Sequence, residues 1–177
     1  EDQLPHIDLT NEIAKRFNST FGNTFKPVKV KLTEGARIMS LQDATKKMSK
    51  TGDESIALSD DADAIRDKIK RAVTDSEKEV HFDELQKPAV SNLITIYSQL
   101  SGKQTSEIET MYEGRSYADF KKDLTEVVVE SLKPFQSRYN KLKADPQYVI
   151  EILQNAEEKA KIIASINLTD IKARMGV

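Results

Sequence analysis

From residue 58 to the C-terminus, apolar residues recur at helical spacing and cap or stop residues fall between the runs. No other feature constrains the fold of this chain so tightly. Ser59 or Asp60 is placed to cap a helix carrying Ile65, Ile69, Ala72 and Val73 on one face. Pro88 suits the first turn of the next, with a stripe of Val90, Leu93, Ile94, Tyr97 and Leu100 and a stop at Ser101-Gly102. Ser106 and Glu109 have capping-box spacing for a short helix ending near Gly114. Ser116 starts a long helix through Phe120, Leu124, Val127, Val128 and Leu132, which Pro134 should kink or end. Asp145-Pro146 is a cap and first-turn pair for a last helix through Ile150, Leu153, Ala156, Ala160 and Ile163, running on to Gly176. Apolar residues are 38% and charged residues 32% of the chain, a balance that favours thin helical layers with much surface over one thick core.

Residues 1–57 read differently. Pro5 leads into Leu9, Ile13, Ala14 and Phe17, one apolar stripe on a helix that Phe21-Gly22-Asn23 ends. Val28, Val30 and Leu32 alternate with Lys29 and Lys31 as in a half-buried strand, and Arg37-Ile38-Met39 is a second extended piece. Residues 41–57 are a polar loop. The fold class expected is therefore mostly α with a small α/β part: residues 1–57 as the tail of an α/β domain, and residues 58–177 as a helical bundle packed beside it.

The chemistry concentrates in that loop, at Lys47-Met48-Ser49-Lys50-Thr51 before Gly52. Two lysines three apart on a mobile loop suit a triphosphate. When a carboxylate attacks the α-phosphate of ATP, charge builds on the departing pyrophosphate, and cations held there stabilise the transition state more than the ground state. Ser49 and Thr51 add hydroxyl donors, and Gly52 permits a close turn. The competing reading is a solvated loop with a chance lysine pair. Glu1-Asp2-Gln3 is either an acidic terminus or a carboxylate set for ribose hydroxyls. Gly35-Ala36-Arg37-Ile38-Met39 is either a strand end or a segment whose Ile38 backbone meets an adenine edge.

Other features are weaker. Arg66, Lys68, Lys70 and Arg71 cluster on one helix, and read first as a solvated face paired with Asp63 and Asp67, second as a contact for RNA phosphates. Tyr97, Tyr112, Tyr117 and Tyr139 read mainly as core, with stacking on unpaired bases as the alternative. His81 and Asp83 are two candidate ligands and do not make a metal site; no protein-bound metal is expected. Cysteine is absent, so disulfides and thiolate metal centres are excluded. No apolar run is long enough for a membrane span, and a soluble cytoplasmic protein is expected. The net charge of −2 neither demands nor forbids a nucleic-acid partner.

Glu1-Asp2-Gln3, Gly35 to Ser40 and Lys46 to Lys50, in that order, resemble the class I aminoacyl-tRNA synthetases in their bacterial tryptophanyl branch. Ile69 to Ser76, Pro88, Ser91-Asn92-Leu93, Ile96-Tyr97 and Tyr112-Glu113-Gly114 extend the resemblance over nearly the whole chain. It implies a Rossmann-like catalytic tail at 1–57 and an α-helical anticodon-binding domain at 58–177. It further implies ATP, brought with Mg as the substrate complex, together with L-tryptophan and tRNA(Trp), in a homodimeric enzyme of protein biosynthesis. By motif, Lys47 and Lys50 are the catalytic cations. Glu1, Asp2 and Gln3 line the nucleotide site, Asp2 near the ribose, Ile38 meets adenine, and Lys47, Met48, Ser49, Lys50 and Thr51 meet the phosphates. The family's loop ends in Ser where this chain has Thr51, which keeps the hydroxyl. The family's His-x-Gly-His motif is not among these residues, and the chain opens without Met, so it is expected to be the C-terminal portion of a longer enzyme and inactive alone. A non-catalytic RNA-binding module of synthetase descent and a tyrosine-specific enzyme are the alternatives.

Overall fold

A computed structural model describes residues 3–31, 37–49, 52 and 54–177. Six helices occur among them: α1 (Leu4–Phe21), α2 (Ala62–Arg71), α3 (Pro88–Ser101), α4 (Thr105–Tyr112), α5 (Tyr117–Ala144) and α6 (Pro146–Met175). The architecture is mostly α, as the periodicity requires. Two compact units are present, one of residues 1–33 with 141–177 and one of residues 34–140.

The unit of residues 34–140 owns the core. Ile65 and Ile69 of α2, Val90, Leu93, Ile94 and Tyr97 of α3, Ile108 and Tyr112 of α4, and Phe120, Leu124 and Val128 of α5 are all buried. The rings of Tyr97, Tyr112 and Phe120 form its centre, Tyr112 meeting Phe120 edge-on at 5.0 Å between centroids. α3 is buried on nearly every side over residues 90–94, Ser91 and Asn92 included. Val73 and Leu100, assigned to the buried stripes, are instead exposed at the rim.

The caps differ in detail from expectation. Asp61, one residue beyond the predicted pair, caps α2 by accepting from the Ala64 N–H at 2.8 Å. Asp60 is occupied by the Lys68 ammonium and the Ala57 N–H. α4 starts two residues early, with Gln104 as its cap in place of Ser106: Glu107 reaches back to the Gln104 N–H, while Glu109 bonds the Phe82 N–H and His81 Nδ1. Pro134 does not end α5, which runs on to Ala144. Asp145 caps α6 through the Tyr148 N–H, and Gly176 closes it with φ 81°. That left-handed conformation is open to glycine at no steric cost.

In the other unit, α1 ends at Gly22 as predicted. The strand expected at Val28 to Leu32 is absent among the described residues: Val28 and Val30 lie in extended coil, nearly half exposed, and Leu32 lies outside the described residues. Side chains take the place of a sheet partner. Asn11 of α1 accepts from the Val28 N–H at 2.8 Å and donates to its carbonyl at 3.0 Å. Two turns on, Asn18 accepts from the Thr24 and Phe25 N–H groups and donates to the Phe25 carbonyl. The alternation of valine and lysine does not make the half-buried strand expected of it. Only a second strand would have buried one face of it, and asparagine amides met the backbone hydrogen bonds without one.

Candidate functional site

The lysine loop lies in the unit of residues 34–140. Its foot is a short antiparallel contact in which Met39 pairs with Lys47. Two backbone hydrogen bonds flank the pair: Ser40 N–H to the Lys46 carbonyl at 2.8 Å, and Met48 N–H to the Ile38 carbonyl at 3.0 Å. Between the two arms the chain turns tightly. The buried Ser40 hydroxyl accepts from the N–H groups of Gln42 and Asp43, and donates to a Glu54 carboxylate oxygen. Asp43 accepts from Thr45 and pairs with Lys46, and these contacts hold its carboxyl at about 2. The turn is thus charged on its outside and satisfied within.

Hydrophobic anchors fix the loop on the helices. Leu41 is buried in the core cluster, with Ile38, Met48 and Ile56 packed against it. The Leu41 N–H donates to the Glu54 carbonyl, and its carbonyl accepts from the Val73 N–H just beyond α2. Met48 is therefore an inward-facing residue between two outward ones: Lys47 and Ser49 are both exposed. Period-two alternation in an extended arm places the cation and the hydroxyl on the solvent side. Gly52 follows with φ 104°, and its carbonyl accepts from the Ser55 N–H and hydroxyl.

Of the sequence-predicted site residues, Ile38, Lys47, Met48 and Ser49 come together at this foot. Of the Ile38 backbone groups expected at an adenine edge, the carbonyl accepts from the Met48 N–H. Gln3 is exposed at the start of α1, in the other compact unit, where its carbonyl accepts from the Ile7 N–H. Glu1, Asp2, Lys50 and Thr51 lie outside the described residues.

A second feature of this unit is a cleft of about 500 Å³ between α2 and α5, lined by Arg66, Lys70, Tyr117, Lys121 and Lys122 among others. Lys121 is partly buried and caps the end of α2, donating to the carbonyls of Ala72 and Lys70; burial lowers its pKa. Arg66 pairs with Asp63. The helical cluster read from sequence thus divides: Lys68 turns in to Asp60, while Arg66 and Lys70 join two α5 lysines that the sequence did not bring near them. Tyr97 and Tyr112 are core, Tyr117 bonds Asp75, and the exposed Tyr139 stacks on Phe135.

The family model described as tRNA synthetases class I (W and Y) matches residues 1–133. The chain belongs to this family. Its curated relatives include the tryptophan–tRNA ligases of Bacillus anthracis, 46% identical, and Bacillus subtilis (strain 168), 45% identical. Each match covers 100% of this chain, and 55% and 54% of the relative. The chain spans about half the length of the curated relatives it matches. Among solved structures it is similar to tryptophanyl-tRNA synthetase from Mycoplasma pneumoniae, with TM-score 0.89 and 28% identity over 100% of this chain and 54% of that one. It is also similar to the Campylobacter jejuni synthetase complexed with ADP and tryptophan, with TM-score 0.71, 27% identity and coverage of 100% and 55%.

Proposed function

We propose that this chain is the C-terminal part of a tryptophan–tRNA ligase, in which the loop of residues 37–57 acts on ATP and the helical part receives tRNA. One observation carries the reading: Lys47 and Ser49 face solvent on either side of an inward Met48, in a chain of the W and Y synthetase family. The tryptophan carboxylate attacks the α-phosphorus of ATP, a new C–O–P bond forms, and the bond to the pyrophosphate oxygen breaks. Lys47 and Lys50 stabilise the charge that gathers on that leaving group. Ser49 and Thr51 donate to phosphate oxygens, Met48 fixes the depth of the loop, and Mg arrives with ATP. Glu1, Asp2 and Gln3 serve the ribose and its surroundings, and Ile38 the adenine. The adenylate then passes its aminoacyl group to tRNA(Trp) in a cytoplasmic homodimer.

Tryptophan-dependent ATP–pyrophosphate exchange tests this in the full-length enzyme. Lys47→Ala should lower kcat roughly 10²- to 10³-fold, the range for losing one preorganised charge-stabilising donor. Residues 1–177 alone should show none. Robust exchange by the isolated chain would overturn its reading as a part, and exchange driven by tyrosine instead of tryptophan would move it to the tyrosine branch.

A further inference from the structure

Asn92 stands in the second turn of α3, 53 positions from Met39 in sequence, and is only 7% exposed. Its side-chain oxygen accepts from the Met39 N–H at 2.9 Å, and its amide donates to the Met39 carbonyl at 2.9 Å. Both peptide groups of one residue are taken by one side chain. The pairing geometry explains why this is possible. Met39 faces Lys47 across the loop foot, while the hydrogen bonds of that contact belong to Ile38 and Ser40 on either side. In such a non-hydrogen-bonded antiparallel pair, the residue's own N–H and C=O point away from its partner strand. The outer edge of Met39 is where a third strand would dock, and the Asn92 amide occupies it. Asn11 and Asn18 do the same on the extended segment after α1.

We infer that Asn92 is a positioning residue for the ligase reaction: by clamping Met39, it sets the register and depth of Lys47 directly opposite. The inference rests on the assignment of the loop to ATP. Asn92 is a rigid link between the loop and the packed core, because Val90, Leu93 and Ile94 around it are among the most buried residues of the molecule. Removing the amide strands two peptide groups of Met39 at a half-buried position. The foot then slides or opens, and Lys47 leaves the pyrophosphate.

Exchange assays on the full-length ligase with Lys47→Ala, Asn92→Ala, Asn92→Asp and the Asn92→Ala/Lys47→Ala double variant decide the matter. Asn92→Ala should lower kcat on the order of 10- to 100-fold, the scale of misplacing a reacting group by about an ångström, with the KM for tryptophan unchanged. Asn92→Asp keeps the acceptor for the Met39 N–H and loses the donor, so it should fall between, and it serves as the test variant if Asn92→Ala does not fold. The double variant should be no slower than Lys47→Ala alone, because Asn92 acts through Lys47. A merely structural asparagine would instead give additive losses, and additivity overturns the inference. So does wild-type exchange in Asn92→Ala or Asn92→Asp while Lys47→Ala is impaired. If Lys47→Ala itself exchanges normally, the ATP role of the loop has failed, a separate outcome from failure of the clamp.

Discussion

At the scale of single residues, the most consequential polar group outside the loop is Lys87. It precedes α3, is almost fully buried, and its ammonium reaches Asp75, Glu77, the Tyr117 hydroxyl and the Glu79 carbonyl. Burial works against its charge, but Glu77, Tyr117 and Asp75 outweigh this and raise its pKa. Burial also pushes the Asp75 carboxyl up, and the Tyr117 hydroxyl, the Glu77 N–H and Lys87 override it and hold it below 3.8. Burial, followed by the hydrogen bond to Asp75, pushes the Tyr117 hydroxyl up from 10.0 to about 12. The signs give two pH windows. A depressed carboxylate stabilises the fold above its unfolded pKa, and that stability is lost as pH falls below about 4. A raised phenol and a raised ammonium stabilise below their unfolded values, and that share is lost as pH rises from about 10 towards 12. Tyr117→Phe should therefore lower the urea midpoint at neutral pH and flatten its dependence at both extremes. A variant curve parallel to wild type would show that the network does not carry this linkage. None of these partners is at helical spacing. Lys87 and Tyr117 are 30 positions apart, so the network had no local signal to be read from.

At the scale of elements, helices were legible because 3.6-residue periodicity and cap chemistry are local. The stripes of α2, α3 and α5 were correct in their centres and failed at Val73 and Leu100, where a stripe meets the rim of the core. Pro134 does not end α5, because packing earlier in the helix, at Phe120, Leu124 and Val128, outweighs one missing N–H. The cleft between α2 and α5 exists only through the crossing of two elements. Arg66 and Lys70 come from one and Lys121 and Lys122 from the other. If it receives tRNA phosphates, Lys70→Glu with Lys122→Glu should weaken tRNA binding and make log K less steep against log salt, by roughly one unit per cation removed. ATP–pyrophosphate exchange, which needs no tRNA, should be unaffected. Unchanged affinity and salt slope would return the cluster to a solvated face.

At the scale of the whole molecule, stability is unevenly distributed. Among the described residues, all of the buried core belongs to the unit of residues 34–140, whereas α1 and α6 bury none, and Leu153, Ile162, Ile163 and Ile166 of α6 are each more than 60% exposed. Local opening follows packing density. Hydrogen exchange on the isolated chain should therefore release the amides of α1 and α6 first and those of α3 and the first half of α5 last. Uniform protection across all six helices would contradict this. The sequence by itself determined the helices, their order, the lysine motif and the family resemblance, because each rests on spacing within a few turns or on a contiguous run of residues. Tertiary structure alone decided that Val28 finds an asparagine instead of a strand, that Lys121 and Lys122 face Arg66 and Lys70, and that Met39 is held by Asn92. Those contacts join residues 17 to more than 50 positions apart, and they are selected by which backbone groups remain unpaired once the helices have packed.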